Sequence, residues 1–350
     1  MLQRLLSATA AQLDRAVSHA AVGLLSRHKV ATLDHPARVT ALRGLVQRYA
    51  DPAFRAEPDR FFPRVSATVD AVHAGTRGAL EVTDLSWDSR FHPFSDDVAA
   101  TYDRDPRNRR AYARLYSVGE GGRPAVVLVH GFLCGQWSVE EKLWPLAAFS
   151  RWGLDAALLV LPFHALRSAP MSRPRFPGAD PRLNIEGFRQ SIQDLRVLVE
   201  FLRARGATAV GLMGMSLGGY VSALAATLDP FDFVVPMIPL GSIADFARDG
   251  GRLGGTPDER YLQHRLLDDC YGVVSPFSRP PRVRPEAALV ITGDGDRVTP
   301  ANHARRLADH FQARLHVFHG GHLLQFGRAH GFRAVGTMLD RLGLRHRAAG

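Results

Sequence analysis

One short segment of the chain has the residue types and the surroundings of an activated serine. Residues 214–218 read Gly-Met-Ser-Leu-Gly, with Ser216 at the centre and a glycine at each end. The apolar run before this segment predicts a strand, and the residues from Leu217 onward predict a helix. A sharp strand–turn–helix junction holds a serine hydroxyl at the edge of a sheet, near the positive end of the helix dipole. Ser216 is therefore the candidate nucleophile.

A serine hydroxyl is a weak nucleophile until a neighbouring base accepts its proton. Histidine suits this task at neutral pH, and a carboxylate orients the imidazole. Two acids follow the next-to-last predicted strand, and we expect Asp296 to orient the base and Asp294 to form a turn. Three histidines stand at and after the last predicted strand. The spacing favours His322 as the base over its neighbours His319 and His316.

Acyl transfer also needs donors for the negative charge that develops on the carbonyl oxygen. A continuous apolar run is followed by residues 130–132, which read His-Gly-Phe. We expect the backbone N–H groups of Phe132 and Leu217 to supply these donors, and His130 to bond the loop backbone. Cys134 lies close by but lacks a strand–turn–helix setting, and it is interpreted as a small buried residue.

The elements that must position these residues alternate between strands and helices from about residue 80 onward. This alternation predicts an α/β protein with a mostly parallel central sheet flanked by helices. The predicted strands cover residues 80–87, 111–118, 125–129, 156–161, 209–213, 233–238, 287–292 and 314–318, and the predicted helices 140–149, 185–205, 217–228, 300–311 and 327–342.

The motifs stand in the order and spacing of a known fold. Over residues 80–345 the chain resembles the α/β-hydrolase superfamily, in residues 130–132, in residues 214–218, in Asp296 after Gly293 and in His322 after two glycines. The resemblance implies a serine esterase, lipase or related acyl hydrolase. Three phrases are similar to bacterial members of a branch related to abhydrolase domain-containing protein 18: residues 161–164, 214–220 and 236–240.

Two segments extend this core. Residues 1–79 are expected to form an N-terminal helical arm, with apolar residues at helical spacing from Leu2 to Leu25 and a second helix from Pro36. The first 50 residues hold seven basic and two acidic side chains. The arm is therefore interpreted either as packed on the main domain or a partner subunit, or as a peripheral contact with a membrane surface. A membrane arm should be removable without loss of turnover of a soluble ester.

The second extension is a cap insertion over about residues 241–286, where a minimal fold needs fewer residues. A capping box at residues 256–259 begins a helix that carries Tyr261 and Leu266. These two side chains either contact an acyl or aromatic group or only pack the cap onto the core. His164, in a Pro- and Arg-rich loop after a strand, is a third candidate substrate-binding residue.

Composition excludes several classes of protein. The 350 residues are 46% hydrophobic and 22% charged, as is usual for globular chains. The sequence has no run of about 18 uncharged apolar residues, so no transmembrane helix is predicted. The two cysteines and the spacing of the histidines give no metal site, and no cofactor is expected. The net charge is +10, but the arginines are scattered, which argues against a nucleic-acid partner.

The expected function is hydrolysis of a small-molecule or lipid carboxylic ester through an acyl-enzyme on Ser216. The same residues would serve acyl transfer to an alcohol or thiol, and peptide hydrolysis is a weaker alternative. A different class is a non-catalytic membrane-associated or interaction protein that retains the fold, because a fold alone never proves activity. Sparse cysteines and the lack of a clear signal peptide favour a cytoplasmic location, with membrane-peripheral contact left open.

Overall fold

A single large sheet organises the molecule. The computed structural model describes residues 7–14, 34–119, 121–170 and 172–345, and within these ranges nine strands pair in the order β1-β2-β3-β5-β4-β6-β7-β8-β9. Pairing is antiparallel from β1 to β5 and parallel across the rest. The strands are β1 Asp70–Arg77, β2 Leu80–Asp88, β3 Arg110–Ser117, β4 Ala125–Val129, β5 Asp155–Leu159, β6 Val210–Met215, β7 Val234–Met237, β8 Leu289–Gly293 and β9 Arg314–Phe318.

Helices flank this sheet. Every residue of β4, β5, β6, β7 and β8 is buried, as expected for strands covered on both faces. Shorter helical turns lie at Ala53–Ala56, Pro58–Arg60, Pro106–Arg109, Ala165–Arg167, Gly272–Val274 and Pro285–Ala287. The longer helices are α1 His35–Tyr49, α2 Asp96–Tyr102, α3 Trp137–Leu143, α4 Leu146–Arg151, α5 Pro181–Ala204, α6 Leu217–Leu228, α7 Ile243–Asp249, α8 Pro257–Tyr271, α9 Ala301–Phe311 and α10 Arg328–Arg341.

The predicted α/β class with a mostly parallel sheet is confirmed. The core strand at 125–129 and the last strand at 314–318 match the sequence prediction residue for residue. The helix predicted at 140–149 is two helices, α3 and α4, which are separated at Pro145. Proline lacks the N–H that a continuous helix would need at this position.

The expected boundary after residue 79 is wrong, because it falls inside a β-hairpin. β1 pairs antiparallel with β2, and the chain turns between Arg77 and Leu80. Further upstream, Phe61 and Phe62 are buried in the hydrophobic core. The described residues of this segment, 7–14 and 34–79, therefore do not form a separable helical arm, and removal of residues 1–79 would expose core side chains and one edge of β2.

The start of the chain also contacts the cap. Of the first predicted helix, residues 7–14 are helical, and the remainder lies outside the described residues. Helix α1 packs on cap helix α8, where Gln263 accepts a hydrogen bond from Arg38 at 2.9 Å and its amide lies 2.9 Å from His35 Nδ1. The predicted capping box of α8 is present at Thr256 and Glu259. In the described part of the chain, no helix has the length and apolarity needed to cross a bilayer.

Candidate active site

Ser216 lies at a strained turn between β6 and α6. Its φ of 53° and ψ of −111° fall outside the regions that a non-glycine residue favours. The turn is held by its own backbone, because the Ser216 N–H donates to Met237 O at 3.0 Å and the Leu240 N–H donates to Ser216 O at 3.1 Å. A Cβ on Gly214 would lie 2.0 Å from the carbonyl oxygen of Gly218, so this turn excludes a larger residue at position 214.

His322 connects Ser216 to Asp296. The Nδ1 of His322 lies 2.8 Å from Asp296 Oδ2, and its Nε2 lies 3.0 Å from Ser216 Oγ. An ionised carboxylate only accepts hydrogen bonds, so Nδ1 carries the proton in the neutral imidazole and Nε2 is left to accept from the serine hydroxyl. Ser216 follows β6, Asp296 follows β8 and His322 follows β9, and the parallel strands bring all three to one edge of the sheet.

The surroundings of His322 favour its protonated form. Burial lowers the pKa of the imidazole, but the negative charge and hydrogen bond of Asp296 and the charge of Asp14 outweigh this effect. The net pKa therefore lies above the ordinary value of 6.5. An imidazolium formed when His322 takes a proton from Ser216 would be stabilised by the same two carboxylates.

Thr299 adds a hydroxyl to this pair. Its Oγ1 lies 3.1 Å from Asp296 Oδ2, 3.1 Å from His322 Nδ1 and 3.0 Å from the carbonyl oxygen of Ile238. The other carboxylate oxygen, Asp296 Oδ1, accepts the backbone N–H groups of Val298 at 2.9 Å and Thr299 at 2.8 Å. Asp296 is 2% exposed and has both oxygens occupied, so its orientation toward His322 is fixed.

Two backbone N–H groups, one in the loop after β4 and one at the start of α6, have no hydrogen-bond partner within the described part of the chain. Among the described residues, the N–H of Phe132 and that of Leu217, the first residue of α6, make no hydrogen bond. A Cβ on Gly131 would lie 3.5 Å from Ser216 Cβ, which shows how closely this loop approaches the serine. Buried His130 fixes the loop, because its Nε2 accepts the Leu161 N–H at 3.0 Å and its Nδ1 lies 2.7 Å from Gly131 O.

The competing residues lie in other settings. Asp294 Oδ2 is 2.7 Å from Nδ1 of half-exposed His319, so these two residues pair with each other near the surface. His316 lies within β9 and not at its end. Burial raises the pKa of the Cys134 thiol to about 12, which keeps it protonated and poorly nucleophilic.

The candidate substrate-binding residues are placed differently from one another. His164 is fully buried against the rings of His130 and Phe132, where it supports the loop, and its contact with substrate stays a prediction. Tyr261 is 63% exposed and its hydroxyl accepts from Arg265 at 3.3 Å. Leu266 is half-buried on the same helix. A role for α8 in substrate binding stays a prediction.

Asp14 is a residue of the site that the sequence did not indicate. It is fully buried, and its carboxylate accepts hydrogen bonds from the backbone N–H groups of His322 at 2.6 Å, Leu323 at 3.1 Å and Arg297 at 3.3 Å. No motif links residues 308 positions apart, and only its position as one of two acids in a basic segment sets Asp14 apart. Among the described residues, no cluster of His, Cys, Asp or Glu has the composition of a metal site.

Comparison with known proteins agrees with this architecture. Acetyl xylan esterase 1 from Thermoanaerobacterium superposes with a TM-score of 0.57 at 19% identity, over 85% of this chain and 98% of that one. An acetyl xylan esterase from Paenibacillus superposes with a TM-score of 0.58 at 15% identity, over 87% and 99% of the two chains. The chain has the α/β-hydrolase fold.

Similarity in sequence adds two findings. Residues 188–340 match the model of the prolyl oligopeptidase family, a segment that includes Ser216, Asp296 and His322. An uncharacterized protein of Mycobacterium tuberculosis is 30% identical over 250 residues, which cover 68% of this chain. The match spans only 58% of the length of that relative.

Proposed function

We propose that this protein is a serine hydrolase that cleaves carboxylic esters. The observation that carries the proposal is the continuous hydrogen-bonded path from Ser216 Oγ through His322 to Asp296, at 3.0 Å and 2.8 Å. The strained turn at Ser216 and the unpaired N–H groups of Phe132 and Leu217 support the same chemistry.

In the proposed reaction, Ser216 Oγ attacks the ester carbonyl carbon while His322 Nε2 accepts the hydroxyl proton. The N–H groups of Phe132 and Leu217 donate to the oxyanion of the tetrahedral intermediate. The intermediate collapses to an acyl-enzyme, and the imidazolium gives its proton to the departing alcohol. Water then repeats the sequence and releases the acid, while Asp296 stabilises the imidazolium in both halves.

Two observations bear on which bond is cleaved, and they favour different bonds. The acetyl xylan esterases that share the fold act on esters, as their names state, and they favour an ester substrate. The match to the prolyl oligopeptidase family favours a peptide bond as the second candidate. The similarity of short phrases to the branch related to abhydrolase domain-containing protein 18 is a narrower proposal that predicts no bond type.

The proposal is tested by hydrolysis of p-nitrophenyl acetate by wild type, Ser216→Ala, His322→Ala and His319→Ala. We expect the first two variants to lose about 10³-fold or more in kcat, as removal of a nucleophile or base does. His319→Ala is the matched control, because this histidine pairs with Asp294 and not with the serine. Since His322 has a raised pKa, wild-type turnover should fall as the pH is lowered through a midpoint above 6.5.

The same assay separates the alternatives. Cleavage of the matched p-nitroanilide at a rate comparable to the ester would favour the peptidase. Formation of a new ester when an alcohol is added at millimolar concentration would favour acyl transfer. Equal turnover by wild type and Ser216→Ala, or none by folded wild type, would contradict the proposal and leave a non-catalytic role.

A further inference from the structure

The N-terminal helical segment, residues 7–14, lies on the two loops that carry Asp296 and His322. Its last residue, Asp14, is 0% exposed although it is an acid. A buried carboxylate is unfavourable unless hydrogen bonds or charges compensate it. Within the described ranges, Asp14 accepts from three backbone N–H groups, two of them in the histidine loop and one in the acid loop. The carboxylate therefore holds the two loops together.

The approach of this segment leaves no room for a side chain at one glycine in each loop. A Cβ on Gly321 would lie 2.4 Å from Asp14 Oδ2, and a Cβ on Gly295 would lie 2.6 Å from the carbonyl oxygen of Ser7. Real Cβ atoms are essentially never found below 3.0 Å from such atoms. The glycines beside Asp296 and His322 thus allow the N-terminal segment to approach both loops closely.

Hydrogen bonds hold both the backbone and the ring of His322. Asp14 accepts its N–H at 2.6 Å, and Gln325 donates to its carbonyl oxygen at 2.9 Å. Its two ring nitrogens bond Asp296 and Ser216. Since the ring positions depend on where the backbone of the loop lies, a contact that fixes the backbone of residue 322 also sets the distance from Nε2 to the serine.

We propose that Asp14 is a positioning residue for His322. Residues 7–14 would then belong to the same active site as Ser216, Asp296 and His322, although they are far from them in sequence. Only the expected effect on kcat rests on the proposed function. The charge of Asp14 is the second of two carboxylate charges that face His322, after that of Asp296. Asp294 in the neighbouring loop is paired with His319, and the side chain of Arg297 is exposed.

The test compares Asp14→Asn with Asp34→Asn in the full chain. Asn keeps the size of the side chain but removes the charge and one of the two acceptor oxygens. Asp34 is the matched control, because it is an exposed acid that caps α1 through the Ala37 N–H at 2.9 Å and contacts neither loop. Three quantities are measured: kcat for a soluble ester, hydrogen exchange of the His322 and Leu323 amides, and the NMR titration midpoint of His322.

We expect Asp14→Asn to lower kcat by about 10- to 100-fold, as small displacements of catalytic groups do, with little change in KM. The His322 and Leu323 amides should exchange faster, and the His322 midpoint should fall, because a negative charge near the imidazole is lost. Asp34→Asn should match wild type in all three quantities.

The exchange and titration readouts keep this inference separate from the proposed function, because neither requires turnover. Unchanged exchange and an unchanged midpoint in folded Asp14→Asn would overturn the role of Asp14, even in an active enzyme. If Asp14→Asn does not fold, the wild type decides: rapid exchange of both amides would overturn the proposal, and strong protection is the expected result.

Discussion

The hydroxyl of Thr299 lies between Asp296, His322 and Ile238, the residue that follows strand β7. It has one proton, which can serve either the carbonyl oxygen of Ile238 at 3.0 Å or Oδ2 of Asp296 at 3.1 Å. Only the second arrangement bonds the hydroxyl to Asp296; in the first, the hydroxyl oxygen can accept from the Nδ1–H of His322 at 3.1 Å. Its burial makes these hydrogen bonds more valuable, since a lost partner could not be replaced by bulk water.

We expect Thr299→Val, which keeps the shape and removes the hydroxyl, to reduce kcat/KM for an ester by about 10-fold and stability by about 1–2 kcal/mol. Thr337→Val is the control, because the Thr337 hydroxyl bonds only the Arg333 carbonyl oxygen on an exposed helix face. Ester hydrolysis and urea unfolding measure the two effects. Full activity of Thr299→Val would show that Asp296 needs no support from this hydroxyl.

At the scale of single residues, the sequence indicated the side chains that motifs and strand ends mark. Ser216, Asp296 and His322 follow predicted strands, and the structure brings them into hydrogen-bond contact, although their roles in catalysis stay predictions. Asp14 carries no local signal, because its partners are backbone groups that any residue could present.

The turn between β6 and α6 is the element on which the proposed chemistry depends. Its geometry requires β4 to pass close to the start of α6. A Cβ on Gly218 would lie 2.0 Å from the carbonyl oxygen of Val129 and 2.7 Å from that of His130. Both atoms belong to backbone that cannot move without shifting β4 and the adjacent loop away from Ser216.

We therefore expect Gly218→Ala to destabilise the protein by about 2 kcal/mol or more and to lower ester hydrolysis in parallel. Gly44→Ala provides the control in helix α1, where a Cβ would meet nothing within 4 Å. That substitution should stabilise the protein by about 0.5–1 kcal/mol, because alanine favours a helix over glycine. Thermal and urea unfolding give both values. Equal stability of Gly218→Ala and wild type would show that the turn at Ser216 can accommodate a Cβ at position 218.

Strands were predicted well from the sequence where burial makes their residues apolar, and poorly where the strand is exposed. β4 and β6 are continuous apolar runs because both faces are covered, and the sequence located them closely. β1 escaped prediction because it is an edge strand with nearly every residue exposed, so no alternation of apolar and polar residues marks it. The same lack of pattern led to a boundary at residue 79, inside the β1–β2 hairpin.

At the scale of the whole molecule, the described N-terminal residues pack against the same domain that carries Ser216, Asp296 and His322. Residues 7–14 contact the acid and histidine loops, α1 packs on the cap helix, and β1 extends the sheet. The contacts of residues 7–14 and of α1 join segments that are hundreds of residues apart, which sequence periodicity does not reveal, whereas β1 pairs with its neighbour in sequence. Peripheral membrane contact stays a prediction.

The central claim is that Ser216 is a nucleophile activated by His322. Its most direct test is to treat the folded protein with a fluorophosphonate, digest it and locate the adduct by mass spectrometry. We expect one stoichiometric adduct on the peptide that carries Ser216, absent in Ser216→Ala, formed much more slowly in His322→Ala and unchanged in His319→Ala. A folded wild-type protein that forms no adduct, or forms it on a different residue, would contradict the account.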